Sequence, residues 1–166
     1  SSESSYWCGL QIQNIPAGDA VKQCFVADPG WLLSEIDKAQ SEARCVGYMS
    51  GETKLIDLVE SGKDYHSWNA QAFFGVPYET IYSDQFHKTL NKALRDLSTR
   101  TNHGANYNMG AGVMLDTMGP EAVAKAKVML KLPRSFTLRK VTQYLLDVYA
   151  KTYPKVKGLF YDKLIE

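Results

Sequence analysis

KTLNKALRDLSTRTNHGANY, residues 88–107, is the stretch whose spacing decides the class of fold. Lys88, Lys92 and Arg95 fall four and three apart, so on a helix they share a face. Arg95, Thr99, His103 and Tyr107 then recur every four residues. Each step of four turns roughly 400°, so the positions drift only about 40° per step and form one stripe about 18 Å long. Its cationic end suits a phosphate chain and its aromatic end suits a base. A solvated basic face drifting into core has the same pattern, and composition does not separate the two. Ser83 or Asp84 is placed to cap this helical stretch, which is expected to run in two pieces, the second covering about 93–108.

Working outward, helix signals dominate. Upstream, residues 39–50 have helical apolar spacing and close at Gly51. Residues 52–61 put Leu55, Ile56 and Val59 on one face and stop at Gly62. Asp64 is an N-cap for a helix over 65–74, which Gly75-Val76-Pro77 breaks. Downstream, Gly110 and Gly112 loosen the chain. Helices over 121–130 and 137–152 follow, separated by Pro133 and ended by Pro154. Near the N-terminus the period changes. Residues 21–27 and 31–37 are rich in strand formers, and Asp28-Pro29-Gly30 is a turn signal between them, so a hairpin is expected there. Residues 1–20 read as irregular. The fold class expected is α+β, mostly α: a small antiparallel sheet fragment, then about seven helices.

Composition narrows the rest. The chain has 166 residues, enough for one domain or two small lobes with a real core. Apolar residues are 45% and charged residues 22%, which excludes collagen, a disordered tail and a coiled coil. No apolar run exceeds the four residues Cys24–Ala27, so no membrane span is expected. The opening Ser-Ser-Glu-Ser-Ser has neither a basic start nor a hydrophobic stretch, so no secretory signal is expected. Three cysteines without a C-x-x-C pair read as reduced thiols in an intracellular protein. Net charge is +1, yet residues 1–87 carry −7 and residues 88–166 carry +8. An acidic half that holds divalent cations beside a basic half that meets phosphates is one reading; a bipolar surface without functional meaning is the other.

The chemistry gathers at two further places. Asp37, at the end of an expected strand, is followed by Gln40, Glu42 and Arg44. A carboxylate there is a favoured Mg²⁺ ligand, or it simply caps the next helix. His66 stands two residues after Asp64, where an isolated histidine is commonly a surface or core residue.

At these residues a resemblance emerges. The segment 37–44, Asp-Lys-Ala-Gln-Ser-Glu-Ala-Arg, resembles motif A of the family A DNA polymerases, Asp-x-Ser-Gln-x-Glu-x-Arg. Residues 10–16, Leu-Gln-Ile-Gln-Asn-Ile-Pro, resemble the family's Leu-Gln-Asn-Ile-Pro segment. Ser50-Gly51-Glu52 and then Gly62–His66 resemble the stretch ending in Asp-Ile-His. Arg95–Gly110 resembles motif B, and Tyr153-Pro154-Lys155-Val156 resembles Tyr-Pro-x-Val. The segments keep the family's order over nearly the whole chain.

The resemblance implies a fragment of a phage-type, polymerase I-like enzyme, adding deoxynucleotides to a primer 3′ end by two-metal phosphoryl transfer in replication or repair. Residues 1–50 would begin the palm and residues 51–166 would form the fingers. Asp37 matches the metal-bridging aspartate, and Lys38 supplies a neighbouring backbone carbonyl, with two Mg²⁺ ions as cofactors. Glu42 matches the residue that blocks a ribose 2′-OH. Gln40 and Arg44 match positions near the nucleotide and the primer–template. His66 and Arg95 match triphosphate contacts, and Tyr107 the tyrosine near the template base. Gln13 and Asn14 fit contacts to DNA. The partners implied are primer–template DNA, deoxynucleoside triphosphates and the missing palm and thumb portion, in the cytoplasm of a bacterial or phage-infected cell.

Four departures stand out. Thr99 occupies the lysine position of motif B, and Arg100 points about 100° away from it. His103 replaces an aromatic residue that bears on sugar discrimination. Asn108 replaces the glycine after the tyrosine. No histidine here is followed by aspartate, so motif C is absent, and the segment alone is expected not to polymerise. The alternative reading is a non-catalytic nucleic-acid-binding module derived from the fingers.

Overall fold

Asp64 starts a helix by accepting the Ser67 amide at 2.9 Å, and caps of this kind set the boundaries of much of the fold. The computed structural model describes residues 21, 23–34, 36 and 38–161, with backbone alone for 158–160. The chain divides into two units, Ser1–Lys38 and Ala39–Glu166.

Among the described residues of the first unit the turn forms and no strand does. Trp31 donates its amide to the Asp28 carbonyl at 2.9 Å, and Gly30 takes φ 88°, which glycine adopts freely. Residues 23–34 form no ladder. The side chains of Val26, Trp31, Leu32 and Ile36 are exposed. A lone two-stranded hairpin gains too little burial to hold in water, so strand propensity does not decide here.

The second unit holds seven α-helices among the described residues: α1 Ser41–Ser50, α2 Thr53–Glu60, α3 Tyr65–Phe74, α4 Lys92–Asn106, α5 Ala111–Met118, α6 Pro120–Met129 and α7 Leu138–Thr152. A 3₁₀ turn, Tyr78–Thr80, leads into β1 (Tyr82–Ser83) and β2 (Lys88–Thr89), which pair antiparallel with Tyr82 opposite Thr89. The fold is therefore α+β and mostly α, and the sheet of the described residues lies between α3 and α4 and not at residues 23–34. Lys88 lies on β2, so it does not share a helical face with Lys92 and Arg95. The cap of α4 is Asn91, whose Oδ1 accepts the Leu94 amide at 3.2 Å, not Ser83 or Asp84. Four residues at the hairpin tip, including His87 in the left-handed region at φ 47°, reverse the chain before the helix can begin.

The core lies among α2, α3, α4, α5, α6 and α7, around Leu55, Val59, Tyr65, Met114, Val141 and Leu145. Gly47 lets α1 approach α2: a Cβ there would sit 3.3 Å from Leu55 Cγ. Two buried asparagines find partners within the core, whereas the buried Ser67 hydroxyl has no hydrogen-bond partner among the described residues. The Asn106 Oδ1 accepts the Tyr149 hydroxyl at 2.6 Å, and the Asn69 Oδ1 accepts the Tyr153 hydroxyl at 2.6 Å. Cys45, on α1, is an exposed free thiol. No helix of the described residues is long and apolar enough to cross a membrane.

Candidate functional site

The stripe lies on α4, and its opposite face anchors the helix. Leu94, Leu97, Ser98, Thr101, Asn102 and Ala105 are buried, whereas Arg95 and Thr99 are half-buried and His103 and Tyr107 are exposed. Tyr107 is the C-cap of α4 rather than a residue within it. It is set by a Schellman closure: Met109 donates to the Gly104 carbonyl at 2.9 Å and Asn108 to the Ala105 carbonyl at 3.1 Å. Asn108 carries the left-handed residue of that motif, φ 52°. Asparagine tolerates this region best after glycine, which explains how it replaces the glycine expected there.

Two elements border the stripe. From α1, Glu42 accepts the Tyr107 hydroxyl at 2.9 Å, and its other oxygen lies 3.9 Å from His103 Nδ1. From α3, the His66 ring lies 5.7 Å from the His103 ring, centroid to centroid. Asp64 grips Arg95 through two bonds: Nε donates to Oδ2 at 3.0 Å and Nη2 to Oδ1 at 2.8 Å. Arg95, His66, His103, Glu42 and Tyr107 thus line one edge of the second unit. Thr99 sits within the row, its hydroxyl turned back to the Arg95 carbonyl at 2.9 Å, and offers no charge.

Gln40 reaches the same edge, donating Nε2 to the Lys63 carbonyl at 2.9 Å beside Asp64. Its backbone is left-handed, φ 57°, and its Oε1 is buried without a hydrogen-bond partner among the described residues. Such features cost of order 1–3 kcal/mol each and concentrate at functional positions. Arg44 points elsewhere. Its guanidinium pairs with Glu60 and donates to the Val59 carbonyl at 2.7 Å, tying α1 to α2. Lys38 ends the first unit. Asp37, Gln13 and Asn14 lie outside the described residues. Among the described residues no group of three His, Cys, Asp or Glu side chains could hold a metal.

The electrostatics follow from burial. Desolvation pushes the His66 imidazole down to about 4; the Asp64 carboxylate opposes this, while Arg95 and His103 add to it. Burial pushes the Asp64 carboxyl up, but hydrogen bonds from Arg95 and Ser67 outweigh it and leave the group below its ordinary value. The bond to Glu42 raises the Tyr107 phenol. His66 is therefore neutral at pH 7 and Asp64 ionised. Asp64 reads in sequence only as a helix cap. Its pairing with Arg95, 31 positions on, has no signal in local spacing.

A row of cationic, imidazole and phenol groups runs along a capped helix, with the Asp64 carboxylate at one end and the Glu42 carboxylate at the other. Residues 10–165 match the family model of DNA polymerase family A, and the chain belongs to that family. Over 104 residues it is 33% identical to the thermostable DNA polymerase I of Thermus aquaticus, covering 60% of this chain and 11% of that protein. The DNA polymerase of Mycobacterium phage D29 is 31% identical over 112 residues, 67% of this chain and 17% of that protein. DNA polymerase I of Pseudomonas aeruginosa is 29% identical over 149 residues, 87% of this chain and 14% of that protein. The chain spans well under a fifth of the length of these relatives.

Proposed function

We propose that these residues form the nucleotide-facing part of a DNA-directed DNA polymerase that adds deoxynucleotides to a primer 3′ end. The observation that carries this reading is the single edge on which Arg95, His66, His103, Glu42 and Tyr107 meet. In it, residues 1–50 begin the palm and residues 51–166 form the fingers.

Arg95 and His66 bind the triphosphate: the guanidinium by charge and the imidazole as a neutral donor. Only Nε and one proton of Nη2 are spent on Asp64, so the outer edge of the fork remains for phosphate oxygens. Glu42, held by Tyr107, stands where a ribose 2′-OH would arrive and rejects it by bulk and charge. Tyr107 and His103 present rings to the base and sugar. Gln40 holds the start of α1 against α3 beside the nucleotide. Arg44 supports α1 through Glu60, and Gln13 and Asn14 contact DNA.

The Asp37 carboxylate and the Lys38 carbonyl are hard oxygen donors of the type Mg²⁺ takes, and they are the residues that would hold it. Two such ions would supply the charge that activates the primer oxygen and steadies the leaving pyrophosphate. These 166 residues contain no His-Asp pair, and one carboxylate does not hold two ions. By themselves they are proposed not to extend a primer.

The test is primer extension by the complete polymerase carrying these residues, with Arg95→Ala and His66→Ala variants. A rise in the KM for deoxynucleotides of about tenfold or more supports the reading. Unchanged KM in both, with DNA affinity lost, assigns the edge to nucleic-acid binding instead. Primer extension by the purified 166-residue chain, free of host enzyme, overturns the proposed inactivity.

A further inference from the structure

Behind His66 runs a chain of buried polar groups. Tyr153 donates to Asn69 Oδ1 at 2.6 Å, Asn69 Nδ2 to Asn102 Oδ1 at 2.8 Å, and the Asn102 amide meets His66 Nδ1 at 3.1 Å. All three residues behind the imidazole are at most 2% exposed.

The direction of this chain is fixed by a group that can only accept. The Ser98 hydroxyl lies 2.6 Å from the His66 backbone carbonyl and must donate its proton there. The same oxygen lies 3.3 Å from the Asn102 side chain. With its proton spent, Ser98 can only accept, so the Asn102 amide nitrogen faces it. That nitrogen also faces His66 Nδ1, which must then be an acceptor. Asn69 supports the same orientation from the other end, because its amide nitrogen needs the Asn102 oxygen.

We propose that Asn102, oriented by Ser98 and Asn69, is a positioning residue that holds His66 as the neutral tautomer with its proton on Nε2. The imidazole then presents one N–H donor to the site and no acceptor. A donor without charge suits a phosphate oxygen already served by the Arg95 cation. The groups facing the ring agree: Asp64 from the cap of α3, Arg95 and His103 from α4, and Glu42 from α1. Burial outweighs both carboxylates and keeps the ring uncharged. The tautomer assignment stands on hydrogen-bond logic alone; its service to a triphosphate rests on the polymerase reading.

Long-range ¹⁵N–¹H spectra of the labelled 166-residue chain at pH 7 test it. The expected result is an unprotonated Nδ1 and a protonated Nε2 for His66. A protonated Nδ1, or an averaged pair of signals, overturns the proposal. Asn102→Asp replaces the donor by an acceptor and is expected to move the proton to Nδ1. Asn102→Ala removes the donor to Nδ1 without adding an acceptor and is expected to produce mixed tautomers; this second variant serves if Asn102→Asp does not fold. In the complete polymerase, Asn102→Asp is expected to raise the KM for dATP by about three- to tenfold. The expected spectrum with KM unchanged in both Asn102→Asp and His66→Ala supports the tautomer and overturns the triphosphate role.

Discussion

Tyr107 donates to Glu42 at 2.9 Å across 65 positions of sequence, tying the C-cap of α4 to the first turn of α1. Both side chains are about half exposed or more, so water competes for the bond and it adds little to stability. Its consequence is positional. The carboxylate has one oxygen committed to the phenol and is held in a single place rather than sweeping a cone.

Replacing Glu42 by Ala is therefore expected to leave the melting temperature nearly unchanged and, on the proposed polymerase reading, to admit a ribose 2′-OH. Discrimination between dATP and ATP, read as the ratio of kcat/KM values, is expected to fall by about tenfold or more in the complete polymerase. Glu42→Gln keeps the bulk and the acceptor for Tyr107, so it is expected to lose less. An unaltered ratio in Glu42→Ala removes Glu42 from this role.

Asp64 does two jobs that one pair of variants separates. It caps α3 through Ser67, and it neutralises Arg95 in a pair whose side chains are 12% and 30% exposed. Asp64→Asn keeps a good cap and loses the charge; Asp64→Ala loses both. Chemical denaturation is expected to show Asp64→Ala destabilised by about 2–4 kcal/mol and Asp64→Asn by about half of that. Equal losses in the two variants would assign the whole effect to the ion pair.

His66 makes stability depend on pH. Its folded value of about 4 lies below the ordinary 6.5, so between these limits the unfolded chain binds more protons. Stability is full above pH 6.5 and falls as pH drops toward 4, by about 3 kcal/mol if His66 acts alone. Asp64 contributes in a lower window. Its folded value is depressed below 3.8, so its stabilisation is present above 3.8 and is lost as pH falls through the depressed value. Urea titrations at stepped pH are expected to show the slope between 6.5 and 4, and His66→Gln is expected to flatten it.

Helices were legible in the chain where period and cap coincide, as at Asp64 for α3, and where period and a following proline do, as for α7 before Pro154. The hairpin was not. Residues 21–27 and 31–37 have strand composition, but pairing depends on what covers the strands, and composition carries no sign of that. The true hairpin at 82–89 was hidden because Lys88, Lys92 and Arg95 fit a helical spacing equally well. At the candidate site, the order of the motifs named Glu42, His66, Arg95, His103 and Tyr107, and the fold brings these five side chains to one edge. The Asp64–Arg95 pair and the Asn102–His66 bond, 31 and 36 positions apart, arise only when α3 packs on α4. The pairing of Arg44 with Glu60, 16 residues on, likewise has no signal in the motif that names Arg44.

Asn108 tests whether backbone conformation explains a departure from the family pattern. At φ 52° a Cβ is strained, and asparagine bears that strain better than residues that cannot bond locally. Asn108→Gly is expected to change stability by a few tenths of a kcal/mol at most, while Asn108→Ala costs about 1 kcal/mol. Thermal melts of the two variants decide it. Equal stability would show that the closure of α4 does not depend on residue 108.

Thr99 stands one turn from Arg95 and one turn from His103, where the family pattern has a lysine. Its hydroxyl returns to the Arg95 carbonyl, so the stripe carries one cation where the pattern carries two. Lysine is the better helix former and its stem reaches past the helix surface, so Thr99→Lys is expected to fold as well as the parent. The added ammonium would stand beside the outer edge of the Arg95 fork, which Asp64 leaves open. A second point charge near a triphosphate is worth about 1 kcal/mol at a half-exposed site, so the KM for deoxynucleotides is expected to fall by about three- to tenfold. The gain is also expected to shrink with added salt, because an exposed charge is screened over about 10 Å at 0.1 M. Kinetics unchanged at low salt would mean that position 99 does not face the nucleotide, and the correspondence with motif B would fail at this helix.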